Sequence, residues 1–270
     1  MRLVANARMY AATADAAAAW DAFFQWLSQA SGVDLEIIDH GVPKPMADLW
    51  QRGDLGCVFM CGRPWRRADP KPVPLAAPVP ASAGYGGQPR YWTNLVVRAD
   101  GPIRSLADSF GGRLGYTIEE SQSGFNALRH HLLRWRTPQR SRLYRESIGP
   151  LHTPRGVVKA LLAGEIDIGP LDSYAFDLML QDPGDPAHGL RAVASTAPAP
   201  IPILVASPLL DPGTAQRLRA ALLASADALA ARPILDRLRL ERFVPVDAAR
   251  YEVLDRWEEE AIASGYPEPA

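Results

Sequence analysis

Three short polar clusters stand where the chain passes from strand-like apolar runs into helical spacing, and their residue types suit the holding of an anion. The first is Glu120-Ser121-Gln122-Ser123-Gly124-Phe125-Asn126, after the run Arg113 to Tyr116 and before a helix that reaches about Trp135. N–H groups at a helix start have no partner inside the helix, and the helix dipole favours negative charge there by roughly 0.3–1 kcal/mol. Serine hydroxyls add donors without bulk. The same segment also reads as a plain helix start, with Ser121 or Ser123 as its N-cap. The second cluster, Gly149-Pro150-Leu151-His152-Thr153-Pro154, holds the same place relative to its strand and helix. His152 there either donates to an anionic ligand or serves as a surface or capping residue. The third is Leu171-Asp172-Ser173-Tyr174, where Asp172 either caps a helix or holds a ligand proton.

Polar and aromatic residues also follow strands in the first part of the chain. Arg8-Met9-Tyr10 follows the first apolar run, Cys61-Gly62-Arg63-Pro64-Trp65 follows another, and Tyr85, Tyr91 and Trp92 gather near the middle. Beside polar donors such rings give a pocket flat walls and phenolic hydrogen bonds; otherwise they are packing. Arg8 and Arg63 supply charge or face solvent. Nucleophile elbow, zinc-protease pair, P-loop and dinucleotide fingerprint are all missing, so the residues name no catalytic centre and no cofactor. Cys57 and Cys61 lack the further Cys or His of a metal site and, on one strand, lie too far apart for a disulfide, so they read as core thiols.

The elements that must position these clusters form two series. Leu3 to Ala5, the helical spacing of Trp20, Phe23, Phe24 and Leu27 up to Gly32, Leu35 to Ile38, Met46 to Trp50, and Leu55 to Met60 make a β-α-β-α-β order. That order predicts a parallel sheet with helices on both faces. A Pro/Gly/Ala-rich stretch from Pro70 to Pro89 precedes the β-rich run Tyr91 to Val97. A second series then runs through strands at Arg113 to Tyr116, Ser141 to Ile148, Glu165 to Pro170 and Leu190 to Thr196. The remainder, with helices near Pro212 to Ala231, Ile234 to Leu240 and Ala248 to Ala263, returns to the first series. The expected architecture is α/β and two-lobed, with residues 1–95 and 198–270 as a discontinuous lobe one and 96–197 as an inserted lobe two. A ligand cleft between the lobes follows from the rule that ligands sit beyond the carboxyl ends of the strands.

With 29 Lys+Arg against 30 Asp+Glu, the net charge of −1 gives no general attraction for nucleic acid or an anionic membrane, so an anion must be recognised locally. No stretch approaches the ~20 apolar residues of a membrane span, so no membrane insertion is expected. Met1-Arg2-Leu3-Val4-Ala5-Asn6 enters the first strand without an apolar signal region.

The run YWTNLVVRADGPIRSLADSFGGRLGYTIEESQSGFNALRHHLL, followed by GPLHTPRGVVKALLAGEIDIGPLDSYAFDLM, resembles the substrate-binding proteins of phosphate, phosphite and phosphonate ABC transporters. These are type 2 periplasmic binding proteins. The likeness covers Tyr91 to about Leu178; the outer thirds match in layout only. It implies capture of a small phosphonate-like or phosphate-like anion by hinge closure, without catalysis, and an ABC permease as partner. The family's Ser-Thr-Ser-Gly cradle looks like Ser121-Gln122-Ser123-Gly124, its site histidine like His152 and its acidic residue like Asp172. Asn126 and Ser173 accompany these as expected ligand-binding residues of the second lobe; on the first, the family's tyrosine has its nearest counterpart in Tyr91, with Tyr85 a weaker one, and Tyr10, Cys61 and Gly62 are expected to line the site from their places after strands. Gln122 stands where the family has a hydroxyl, and Met60-Cys61-Gly62 replaces a hydroxyl-rich loop. The resemblance implies a periplasmic protein if a signal precedes it, and the N-terminus as printed a cytoplasmic one. The alternative is a cytoplasmic enzyme on the same fold, like chorismate dehydratase or thiamine-pyrimidine synthase. Neither a Cys/His iron site nor an obvious cofactor lysine among Lys44, Lys71 and Lys159 supports it.

Overall fold

The computed structural model describes residues 2–270; Met1, the first residue of the segment read for a signal, lies outside them. The chain forms two compact units, residues 1–90 with 200–250 and residues 91–199 with 251–270.

In the first unit the apolar runs become a six-stranded sheet in the order Leu240–Val244, Val73–Pro80, Ile203–Ala206, Leu55–Met60, Leu3–Asn6, Leu35–Ile37. Leu3–Asn6 and Leu55–Met60 are buried throughout, as strands covered on both faces should be. Helix Ala14–Ser31 starts at Thr13, whose hydroxyl accepts from the Ala16 N–H at 3.0 Å, and ends at Gly32 with φ 65°. Its 3.6-residue stripe places Trp20 edge-on to Phe59 at 4.9 Å and stacks Phe23 on Phe243 at 5.3 Å.

Only two of the five strand pairings in this sheet are parallel, a correction to the expected parallel sheet. Leu3–Asn6 runs parallel to its two neighbours, whereas Ile203–Ala206 is antiparallel to both of its own and Leu240–Val244 is antiparallel to Val73–Pro80. The β-α-β order that predicts parallel pairing ends near residue 60. Val73–Pro80 is a full strand in the stretch that composition marks as a loop. Its prolines donate no ladder hydrogen bonds, and register shifts beside Pro74 and Pro80 accommodate them.

In the second unit Thr93–Arg98 is the middle strand of an antiparallel sheet, with Leu190–Ser195 on one side and Gly169–Asp172 on the other. Arg113–Gly115 pairs in parallel with Glu146–Ile148, and a parallel bridge from Leu114 to Ile168 ties this pair to the segment entering Gly169–Asp172. The expected strands over Ser141 to Ile148 and Glu165 to Pro170 are thus shorter or later than read. Gly164, at φ 69°, ends the preceding helix with a left-handed turn that delays the second of them.

The last twenty residues are the larger departure, because the expected lobe one contains them and the structure groups them with the second unit. Helix Glu252–Ala263 buries Leu254, Trp257, Glu258 and Ala261. Trp257 stacks on the His130 ring at 5.0 Å, and Tyr266 joins the core of Leu95, Leu114, Leu128 and Ile168. An apolar helix face shows in a sequence; the unit on which it packs does not.

Both cysteines are free and buried, and burial pushes the Cys57 thiol up.

Candidate functional site

The first two polar clusters lie side by side in the second unit. After Arg113–Gly115 the chain turns through Tyr116 to Ser121 and enters a single π turn, Gln122–Asn126, before helix Ala127–Leu132. The Asn126 N–H reaches back to the Ser121 carbonyl at 3.1 Å, and the Ser121 hydroxyl accepts from the Gly124 N–H at 2.9 Å. Gly124 packs against Thr117, whose Oγ1 lies 1.8 Å from where a Cβ on Gly124 would stand, so only glycine fits. The His152 loop is laid along the same stretch: the Leu151 N–H donates to Tyr116 O at 3.0 Å and the His152 N–H to Thr117 O at 3.1 Å. His152 is held at φ 63°, a left-handed conformation costly for a residue with a Cβ. Thr153, and not His152, caps helix Pro154–Leu162, accepting from the Gly156 N–H at 3.0 Å.

The third cluster is joined to the first by Thr93. This buried threonine donates from Oγ1 to Ser123 O at 2.9 Å and stands opposite Asp172 in the ladder. Asp172 Oδ1 accepts from the N–H groups of Tyr174 and Ala175 at 2.9 and 3.0 Å, the cap geometry. The Ser173 hydroxyl accepts from the Trp92 N–H at 3.2 Å. Thr93 and Thr117, which sequence reasoning missed, therefore gather all three loops. Thr93 had a readable signal: alternation sets it on one face with Leu95 and Val97, a hydroxyl on an otherwise apolar face. Thr117 had none, since its contact with Gly124 depends on the turn between them.

Most of the named side chains are committed to this frame. Ser121, Asp172 and Ser173 accept from backbone N–H groups, while Gln122 and Asn126 are fully buried and bonded to each other at 2.9 Å. Ser123 Oγ and the His152 ring are different: among the described residues neither makes a hydrogen bond, and His152 is exposed.

The first unit's named residues form a separate group. Tyr10 is buried edge-on to Phe59 at 5.0 Å. Cys61 and Gly62 are buried at the start of helix Gly62–Arg67, where the Trp65 N–H donates to Cys61 O at 3.0 Å, and Arg63 is buried beside them. Trp65 donates from Nε1 to Pro72 O at 3.0 Å under the Lys71 ammonium, a packing role. Arg8 donates to the carbonyls of His40 and Lys44, and desolvation lowers its pKa. Tyr85 is buried in this unit, and Tyr91, on the first residue of the second, is buried as well. Among the described residues no cluster of His, Cys, Asp and Glu could hold a metal ion.

This architecture is that of the type 2 periplasmic binding proteins. The binding component of an ABC phosphonate transporter from Pseudomonas aeruginosa superposes with a TM-score of 0.80 at 17% identity, covering 98% of this chain and 88% of its own. PhnD1 of Prochlorococcus marinus, in complex with methylphosphonate, gives 0.75 at 16% identity over 96% of this chain and 98% of its own. A protein of Xanthomonas citri bound to ATP gives 0.66 at 24% identity over 97% and 98%. No curated protein matches the chain.

The family model described as the phosphonate periplasmic substrate-binding protein of ABC transporters matches residues 10–251, so the chain belongs to that family. It is a family of substrate-binding proteins and not of enzymes, which decides against the chorismate-dehydratase-like and thiamine-pyrimidine-synthase-like alternatives. Among the described residues no helix is long and apolar enough to cross a membrane.

Proposed function

We propose that this chain captures a small oxyanion, a phosphonate or phosphate, at the second unit's Ser123 and His152, and delivers it to an ABC permease in the periplasm. The observation that carries the reading is the contrast in commitment: in three loops tied through Thr93 and Thr117, Ser123 Oγ and the His152 ring are left unbonded on a fixed frame. Preorganised donors of this kind suit an anion, since each charge-assisted hydrogen bond contributes about 1.5–3 kcal/mol. Micromolar affinity needs about −8 kcal/mol in all, within reach of several such bonds. The two ligands named for the Prochlorococcus and Xanthomonas proteins, methylphosphonate and ATP, both carry phosphorus oxyanions. First-unit residues Tyr10, Cys61 and Gly62, and Tyr91 at the start of the second unit, contribute packing more than donors in this reading.

Isothermal titration of the purified chain with methylphosphonate, phosphate, phosphite and small carboxylates tests this. Binding of a phosphorus oxyanion, weakened about ten-fold in Ser123→Ala and in His152→Ala, is the expected result. Unchanged affinity in both variants, or binding of carboxylates alone, would overturn it. The hinge closure that the resemblance implies is read as a fall in radius of gyration when the bound ligand is added.

A further inference from the structure

Behind the π turn lies a buried polar chain that contacts neither Ser123 Oγ nor the His152 ring. Glu258, on the C-terminal helix, pairs through Oε1 with Arg129 at 3.2 Å, and both side chains are more than nine-tenths buried. The same guanidinium donates to Pro267 O at 2.7 Å and to Asn126 Oδ1 at 3.1 Å. With its oxygen so engaged, Asn126 turns its Nδ2 to Gln122 Oε1 at 2.9 Å and to Leu254 O at 3.0 Å. Gln122 and Asn126 are the first and last residues of the π turn, and Ser123 lies between them.

We propose that Arg129 and Glu258 are positioning residues, which fix the rotation of the π turn through the Asn126 amide and thereby aim Ser123; the effect on ligand rests on the binding role proposed above. Stability alone does not account for the arrangement. A buried ion pair is commonly matched in stability by well-packed apolar side chains of similar volume, and the alignment leaves Gln122 Nε2 buried without a hydrogen-bond partner. What the polar chain supplies and an apolar one does not is direction: each bond admits one orientation of the next amide. A neighbouring pair on the same two helices supplies the control. His130 Nε2 meets Glu260 Oε2 at 2.7 Å at the surface, with no link to Asn126.

The experiment uses the full chain as wild type, Arg129→Met/Glu258→Leu, Glu258→Gln and Glu260→Gln. The apolar double variant keeps the core filled should Glu258→Gln, which removes the carboxylate charge beside the Arg129 guanidinium, fail to fold. Two quantities are read: methylphosphonate affinity by calorimetry, and amide hydrogen exchange at Gly124, Asn126 and Ala163 in ligand-free protein. In the double variant, exchange at Gly124 and Asn126 should quicken about ten-fold or more while Ala163, outside the turn, keeps its wild-type rate. Methylphosphonate affinity should fall about ten-fold in the same protein and stay unchanged in Glu260→Gln. Wild-type exchange at Gly124 and Asn126 in a folded double variant overturns the positioning role. Quickened exchange with wild-type affinity in the double variant, where the wild type does bind methylphosphonate, overturns its effect on ligand. If the wild type binds none of the oxyanions, the proposed function fails on its own, and the exchange rates still decide whether the pair orders the turn.

Discussion

The two units treat their strand-end loops in different ways. In the first unit, Tyr10 and Cys61 are polar or aromatic residues at strand ends that the fold has drawn into its interior, one against Phe59 and the other at a helix start. In the second, the corresponding loops are bonded to one another through Thr93 and Thr117; Thr117 Oγ1 and Gln122 Nε2 are left without partners in the interior, whereas the unbonded Ser123 hydroxyl and His152 ring are not buried. Residue type and strand-end position were the same signal in both places. What separates packing from site is the account of which polar atoms are already spent, because a buried donor or acceptor is almost always satisfied by the fold itself.

The sharpest break of that comparison is Tyr10→Ala. If Tyr10 is packing, truncation should cost about 3–5 kcal/mol, the range for a large buried aromatic, and Tyr10→Phe should keep wild-type methylphosphonate affinity. A loss of affinity in Tyr10→Phe at unchanged stability would move Tyr10 from core to site. Next in size is Gly124→Ala, which forces a methyl into Thr117 Oγ1. Chemical denaturation should show a loss of about 1–3 kcal/mol, with part of it restored by Thr117→Ala in the same chain. Lack of rescue would mean that the strain sits in the π turn and not in the contact.

How much of this was legible depends on whether the determinant is local. The strand before Ser121, the cap at Asp172 and the left-handed stop at Gly32 rest on a few adjacent residues, and each was readable. The likeness over Tyr91 to Leu178 likewise pointed to the family, which the match over residues 10–251 shows. Three things were not legible. Val73–Pro80 hides behind its prolines, because tertiary pairing and register shifts override a composition that reads as loop. The placement of residues 251–270 rests on Arg129 meeting Glu258 across more than a hundred residues. The division of labour between Ser121, which caps, and Ser123, which does not, depends on a π turn that helical spacing does not announce.

A smaller effect is read by pH within the second unit. Burial, with the nearby Arg134 charge, lowers the His131 pKa from 6.5 to about 4, and its Nε2 takes a hydrogen bond from Arg134 at 2.9 Å. Because the folded value is depressed, the unfolded chain binds the extra proton first. Stability from this group is therefore present above pH 6.5 and is lost as pH falls from there toward 4. Melting followed by Trp257 fluorescence should move down over that window in wild type and less in His131→Gln. Equal slopes in the two proteins would remove His131 as the cause.

The smallest effect is also the most diagnostic, because two readouts move in opposite directions. His152 holds a left-handed backbone at φ 63° that glycine adopts freely. Relief of that conformation stabilises by about 1–2 kcal/mol, partly offset by glycine's greater chain entropy of about 0.5–1 kcal/mol, so His152→Gly should melt slightly higher than wild type. The same substitution removes the unbonded imidazole, and methylphosphonate affinity should fall about as far as in His152→Ala, roughly ten-fold. Higher melting with weaker binding is the signature of strain retained for a ligand contact. If instead His152→Gly binds methylphosphonate like wild type, the strained backbone belongs to the loop alone, and the donor set of the second unit shrinks to Ser123 and the backbone around it.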